Sequence, residues 1–318
     1  MALGIGTETI VGIGHETTWG TPVARTKFID HLSVNGGIVN PLIEGETFRG
    51  RSKTNMFRGA KKVELEIASE LRYEGWEDFF YHLFLGKVTG STVNAIRQYV
   101  FTFDDTVAVP AGMSVEVKYG AAATLVYEGC KVNGASFAFE IDKLLKCAFK
   151  LVGEDAASGS ATTPTFPSAP IILWNQIVLT KDAVAKEIVS ATVDFDNGFN
   201  TDRRVMGSTT VKEHTAGRRS VSGKISAYFE NLSDWHALLT GDTEFALLFT
   251  GTGTTIPGSS PSDLYDIILS LPAVKLSTDN PNISDPGPIM QEMDFVARKG
   301  TGSEIATLTL TNARSTVP

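Results

Sequence analysis

One stretch limits what this chain can fold into, and it occurs twice. Residues 59–86, GAKKVELEIASELRYEGWEDFFYHLFLG, open in strict alternation, with Val63, Leu65, Ile67 and Leu71 set against Lys62, Glu64, Glu66, Glu70 and Arg72. A period of two puts the first set on a buried face and the second on a solvated one, which predicts a half-buried strand. At Trp76 the period changes. Trp76, Phe79, Phe80 and Leu83 recur at helical spacing behind an acidic first turn of Glu74, Glu77 and Asp78, and Gly86 stops the run. Residues 217–241, GRRSVSGKISAYFENLSDWHALLTG, make the same switch. There Val221, Ile225, Ala227 and Phe229 alternate inward before a helix carrying Trp235, Leu238 and Leu239. Trp76, Phe79, Phe80, Trp235, Leu238 and Leu239 are therefore expected to anchor two short helices to a core.

The two copies keep a common spacing. Val63 matches Val221 and Ile67 matches Ile225 at a separation of 158, while Trp76 matches Trp235 and Phe79 matches Leu238 at 159. Cys147, Phe149 and Leu151 align with Ala306, Leu308 and Leu310, again at 159. A spacing held over about 90 residues is the mark of an internal repeat, because unrelated segments drift with every loop. The expectation is a mainly β chain, a sandwich or barrel with one short flanking helix per domain, built as two tandem domains. Residues 1–24, rich in Gly and Thr, form an extended arm that must lie on its own domain or on a neighbouring subunit. Residues 25–155 form the first domain. Residues 156–170, AASGSATTPTFPSAP, cannot build a core and read as a linker, and residues 171–318 form the second domain.

Within the first domain, strands are expected at 28–34, 97–103, 113–119 and 124–132, with a hairpin over 135–151 turning at 142–144. The second domain differs by a longer lead-in through 181–195, and by 251–262 and 279–288 in place of regular strands. Between 40 and 58 the chain breaks period and carries Arg49, Arg51, Lys53 and Arg58, a basic loop in a chain of net charge −8. Such a loop either contacts an acidic partner surface or is simply solvated.

That net charge argues against a protein that grips nucleic acid, since such binders gain affinity from clustered Lys and Arg. With 42% apolar residues in 318, there is ample material for packed cores. Cys130 and Cys147 lie among strand-forming residues without Cys-x-x-Cys spacing and read as reduced core thiols. The N-terminus lacks a basic region ahead of an apolar one, and no apolar run reaches bilayer length. The expectation is a soluble protein without a secretion signal or membrane contact, for which the sequon-like Asn231-Leu232-Ser233 and Asn282-Ile283-Ser284 carry no meaning.

Reactive constellations are missing from the sequence. Neither Gly-x-Ser-x-Gly nor His-Glu-x-x-His occurs, and His15-Glu16 meets Trp19 where the second histidine would stand. Gly4-Ile5-Gly6 and Gly251-Thr252-Gly253 lack the Gly-Lys-Ser or Gly-Lys-Thr of a phosphate loop. Asp194-Phe195-Asp196-Asn197-Gly198 offers alternate carboxylates before a glycine, as calcium loops do. An EF-hand places its glycine sixth and a bidentate Glu twelfth, whereas Gly198 is fifth here and Val205 twelfth, so a strand ending in an Asn-Gly turn is expected instead. Glu64 and Glu66 beside Lys62 fit a solvated face rather than an acid and base pair. Neither enzyme activity, metal nor cofactor is expected.

Against this background the opening GIGHETTWGTPVARTKFIDHLSV resembles the arm of the tail tube proteins of long, non-contractile-tailed bacteriophages, through Gly14, Glu16, Gly20, Thr21 and Pro22. The strand-to-helix unit and its echo extend the resemblance over most of the chain. The resemblance implies a structural virion protein, a major tail protein whose subunits form rings in which one sheet of each domain joins its neighbours around a lumen. Rings stack into a tube that passes genomic DNA during ejection. A duplicated chain implies a homotrimeric, pseudo-hexameric ring, with tape measure, tail terminator and tip proteins as partners, located in the virion tail after assembly in the host cytoplasm. Six domains of four strands, ~24 strands at ~4.8 Å and ~40° tilt, give a barrel roughly 45 to 50 Å across, wider than a ~20 Å duplex.

The polar strand faces supply the candidates for the lumen: Glu64, Glu66 and Glu70 in the first domain, Ser222, Ser226 and Glu230 in the second, with Glu140 and Asp142 beside them. Alternation alone leaves open which sheet faces the lumen. Arg49, Arg51, Lys53, Arg58 and Trp19 are the candidates for contact between subunits. A head decoration protein or a minor tail or receptor-binding protein is the rival reading. A sugar receptor would cluster its aromatic residues, yet Trp19, Trp76, Trp174 and Trp235 are dispersed.

Overall fold

The computed structural model describes residues 5–46, 55–93, 96–103, 108–283 and 286–313. The alternation of the opening stretch becomes the strand Lys62–Glu70, with Val63, Leu65 and Ile67 buried. The helical spacing becomes α1, Glu77–Leu83, and its echo becomes α2, Trp235–Thr240. Trp76 lies just before α1 and stacks on Phe149, with ring centroids 5.4 Å apart and planes 12° apart, while Phe79 meets the same ring at 4.8 Å. Phe80 reaches Phe101 and Phe137. In the second helix Trp235 sits edge-on to Phe245 with Lys181 over its face, whereas Leu238 and Leu239 are only half-buried. The shorter α2 turns one large side chain into the core rather than three.

Among the described residues the strands pair antiparallel, with one isolated parallel bridge at Lys61–Thr210. One sheet runs Ser33–Val39, Lys62–Glu70, Lys146–Gly153, the second part of Ala123–Glu140, Ser190–Asp196, Ser220–Tyr228 and Met290–Ala297. Its far edge is finished by the end of Leu264–Leu276 and by Asn280–Asn282. Across the core lie Lys27–Ile29, Ile10–Glu16, Gly112–Tyr119, the first part of Ala123–Glu140 and Asp155–Ser158. Beside them run Val184–Lys186, Ile177–Lys181, Phe245–Thr255, Leu264–Leu276, Thr307–Asn312, Ile96–Thr102 and Val88–Val93. The strand Ala123–Glu140 serves both layers because it bulges near Gly129, whose φ of +64° and close approach to the Trp19 indole suit only glycine.

The same pairing scheme appears in each half. Ser33 opposes Ala68 as Ser190 opposes Ser226, and Val63 opposes Gly153 as Val221 opposes Ala297. Phe137 opposes Cys147 as Pro281 opposes Gln291. The strand that stands where Lys146–Gly153 stands is thus Met290–Ala297, at a separation of 144. The expected match of Cys147, Phe149 and Leu151 with Ala306, Leu308 and Leu310 does not hold, because Thr307–Asn312 pairs with Leu264–Leu276 in the other layer. Hydrophobic alternation cannot separate two strands of equal period, and only their partners can.

Other expectations change in detail. Residues 28–34 divide into two strands, 124–132 runs on into the hairpin as one strand, and Gly251–Thr255 continues a strand rather than replacing one. Residues 1–24 contribute Ile10–Glu16, paired on both sides, and Glu16 is fully buried where it accepts from Ser114 Oγ and the Gly129 N–H. Trp19 donates to the Gly129 carbonyl oxygen at 3.0 Å within the same chain. Among the described residues two strand ladders cross between halves, Gly134–Glu140 with Ser190–Asp196 and Ile96–Thr102 with Thr307–Asn312, joined by isolated bridges at Lys61–Thr210, Arg72–Ile171 and Leu144–Leu173, and one continuous core includes residues from both.

A polar cluster lies under α1. His15 Nδ1 is 3.2 Å from His82 Nε2, and Lys27 Nζ is 2.7 Å from Asp78 Oδ1. Burial holds His82 well below the usual histidine value, reinforced by His15, Lys131 and Lys27; burial also lowers His15, against the pull of Asp78. Both histidines bind fewer protons folded than unfolded. Their contribution to stability is full above the unfolded value of 6.5 and is lost as pH falls below it. Urea midpoints should therefore fall less between pH 7.5 and 5.5 in His15→Gln than in the parent chain, and equal slopes would contradict this account.

Candidate functional site

The first sheet buries one face and exposes the other. Along its strands the outward positions carry Glu64, Glu66, Glu70, Glu140, Asp194, Asp196, Glu292 and Asp294 against Lys62, Lys146, Lys150, Lys224 and Lys275. Between them stand small residues such as Ser136, Ala138, Ala148, Thr192, Ser222 and Ser226. Eight carboxylates against five lysines leave the face acidic. Glu66 stands opposite Lys150 and Glu70 opposite Lys146. Lys62 Nζ is 2.9 Å from Glu64, and Lys224 Nζ is 2.5 Å from Glu292. The Glu292 hydrogen bond raises Lys224 above its ordinary value.

Six of the lumen candidates, Glu64, Glu66, Glu70, Ser222, Ser226 and Glu140, are brought together on this one face. Glu230 lies past the end of Ser220–Tyr228, and Asp142 lies in the turn after Glu140, with φ of +59°. Sequence reasoning missed Asp194, Asp196, Glu292 and Asp294. Their signal is the alternation around Val193 and Phe195 and around Gln291, Met293 and Phe295, all buried. The run from Asp194 is strand followed by turn: Asp196 Oδ1 accepts from the Gly198 N–H at 2.8 Å, and Gly198 has φ of +58°.

Two long connections project from this sheet. The first, residues 40–61, forms the hairpin Leu42–Glu44 with Met56–Arg58 and exposes Leu42, Ile43, Met56 and Phe57. Arg58 is exposed on it, while Arg49, Arg51 and Lys53 lie outside the described residues. The second, residues 197–219, was not singled out by sequence, yet its charges match: each connection has five Lys or Arg and two Asp or Glu. It folds over the first half, where Lys131 Nζ meets Glu213 Oε1 at 2.8 Å, Thr210 Oγ1 donates to Glu154 at 2.8 Å, and Trp19 meets the His214 ring edge-on.

No reactive centre forms among the described residues. There is no cluster of three or more His, Cys, Asp or Glu placed to hold a metal, and no helix is long and apolar enough to cross a membrane. A groove of about 370 Å³ near the 140–145 turn is walled by Phe139, Leu145, Trp174 and Ile177, with Lys143, Lys186 and Glu187 at its mouth. Cys130 and Cys147 are free and buried, with thiol pKa values raised by burial.

The chain is mainly β, with an acidic sheet face flanked by two basic connections. The family model for the phage tail tube protein matches residues 6–297, and the chain belongs to that family. No curated protein matches it.

The acidic face should be nearly free to vary as far as stability is concerned. Lys224 and Glu292 are each about half-exposed, so Lys224→Ala should change unfolding free energy by about 0.5 kcal/mol or less in urea titration. A much larger loss would mean that the face holds the fold together rather than being available for function.

Proposed function

We propose that the chain polymerises through itself into stacked rings that form the phage tail tube, with the acidic sheet face lining the lumen. The observation that carries this reading is the sheet shared by both halves, apolar inward and mainly polar outward, with Val152 and Val296 as outward apolar positions. Residues 25–155 and 171–318 are read as tandem copies of one tube domain joined by 156–170, a division supported by the repeated pairing scheme. Each copy contributes four strands to the shared sheet, counting Leu264–Leu276 and Asn280–Asn282 together as the eighth. Three chains then supply about 24 strands, which at ~4.8 Å spacing and ~40° tilt enclose a barrel roughly 45 to 50 Å across.

A lumen dominated by carboxylates repels phosphate, so DNA passes without specific binding. The role is structural rather than enzymatic and needs no cofactor. Its partners are the next ring, a tape measure protein and tail terminator or tip proteins, in a virion tail assembled in the host cytoplasm. Negative-stain microscopy of the purified chain should show rings or hollow tubes, and a preparation that stays monomeric at high concentration would refute the reading. Neutralising Arg49, Arg51 and Lys53 together should impair polymerisation, measured by sedimentation; tubes formed at the normal rate would remove the basic connection from the contact.

A further inference from the structure

The junction between the two halves is built once inside the chain, and its parts exist a second time with nothing described against them. At the internal junction Gly134–Glu140 pairs with Ser190–Asp196. Phe195 is 4% exposed there and Phe139 9%, while Phe199 at 8% and Val152 at 7% share a small apolar cluster with Leu85. The Asn197 side-chain amide donates to the carbonyl oxygens of Leu83 at 3.0 Å and Val132 at 2.9 Å.

The matched registers carry each residue to a counterpart. Val39 opposes Lys62 as Asp196 opposes Ser220, and Ile43 opposes Phe57 as Asn200 opposes Thr215. The offset therefore holds beyond the strand, and Phe195, Asn197 and Phe199 correspond to Ile38, Asn40 and Leu42. On the receiving side Glu64 opposes Val152 as Ser222 opposes Val296. With Phe137 matching Pro281, Val132 corresponds to Leu276 and Phe139 to Ile283. Burial inverts between the two sets: Ile38 is 46% exposed, Leu42 59%, Val296 48% and Ile283 76%. Four apolar side chains face water at the positions where the internal junction buries its own. The asparagine also recurs, and in both copies its side-chain oxygen is buried without a hydrogen-bond partner.

We infer that a second copy of this chain covers these positions, docked as the chain's second half docks on its first. The edge strand Ser33–Val39 and the hairpin after it, from one copy, meet the Asn280–Asn282 edge and the end of Met290–Ala297 in the next. Leu42 then packs on the next copy's Val296, as Phe199 packs with Val152. Asn40 donates to the backbone carbonyl of the next copy's Leu276, the counterpart of Val132. Such a contact is head-to-tail: it leaves the same two surfaces open at the ends of any short row and is satisfied everywhere only when the row closes. It also covers an exposed sheet edge, a hazard for any soluble β protein. The inference rests on the ring-forming reading above and adds to it which surfaces meet and in what register.

The test is a disulfide between copies in the full chain carrying Leu42→Cys and Val296→Cys, the native thiols being buried. Mild oxidation of assembled protein should give covalent dimers and trimers on a non-reducing gel, and neither single variant should. Leu42→Asp, at an exposed position, should keep the parent urea midpoint while abolishing rings. If the parent chain forms rings but the cysteine pair does not cross-link, or if Leu42→Asp still assembles, this interface is overturned while the tube reading stands. If the parent chain forms no rings, the tube reading itself falls.

Discussion

The stacking of Trp76 on Phe149 holds the two kinds of structure in the first half together. Phe149 belongs to the strand that pairs with Lys62–Glu70, and Trp76 begins the helix that the same strand feeds. Because Phe79 and Phe80 also meet Phe149, helix and sheet share one aromatic cluster that is buried on every side. Removing a large aromatic side chain from such a position costs about 3–5 kcal/mol, a large share of a typical domain's stability. The inward face of the sheet is therefore tightly constrained.

The outward face has the opposite character. Its charges stand on a rigid pleat, so their positions are set by backbone pairing while their identities are almost free energetically. Eight carboxylates with five lysines interspersed give a field that is negative on average without large unbroken repulsion, since Glu66 and Glu70 each stand opposite a lysine.

The matched pairing of the halves bears on how assembly is encoded. Under the proposed reading of two copies of one unit, one junction is made covalently, at high effective concentration, and the other by association. The internal junction is sealed by Phe199 and Asn197 from the connection at 197–219, so that connection is part of the fold. Its counterpart at 40–61 has the same charge balance and exposed apolar side chains, the composition of a surface that meets a partner.

Much of this was legible in sequence. The strand at 62–70, both helices, and the acidic outer faces of Glu64, Glu66 and Glu70 follow from periods of two and 3.6, which depend only on neighbours along the chain. What failed was non-local. Leu308 and Leu310 keep the same alternation as Phe149 and Leu151, yet they lie in the other layer, because alternation marks a face and does not name a partner. Asp194 and Asp196 read as the end of a strand before a turn, which they are, but only pairing with Ser136 and Gly134 placed them beside the other carboxylates. Sequence by itself determined which side of each strand is apolar and where helices begin. Only the tertiary structure decided which strands are adjacent, and so which charges share a surface and which edges remain uncovered, because hydrogen-bond pairing joins residues that no local period can relate.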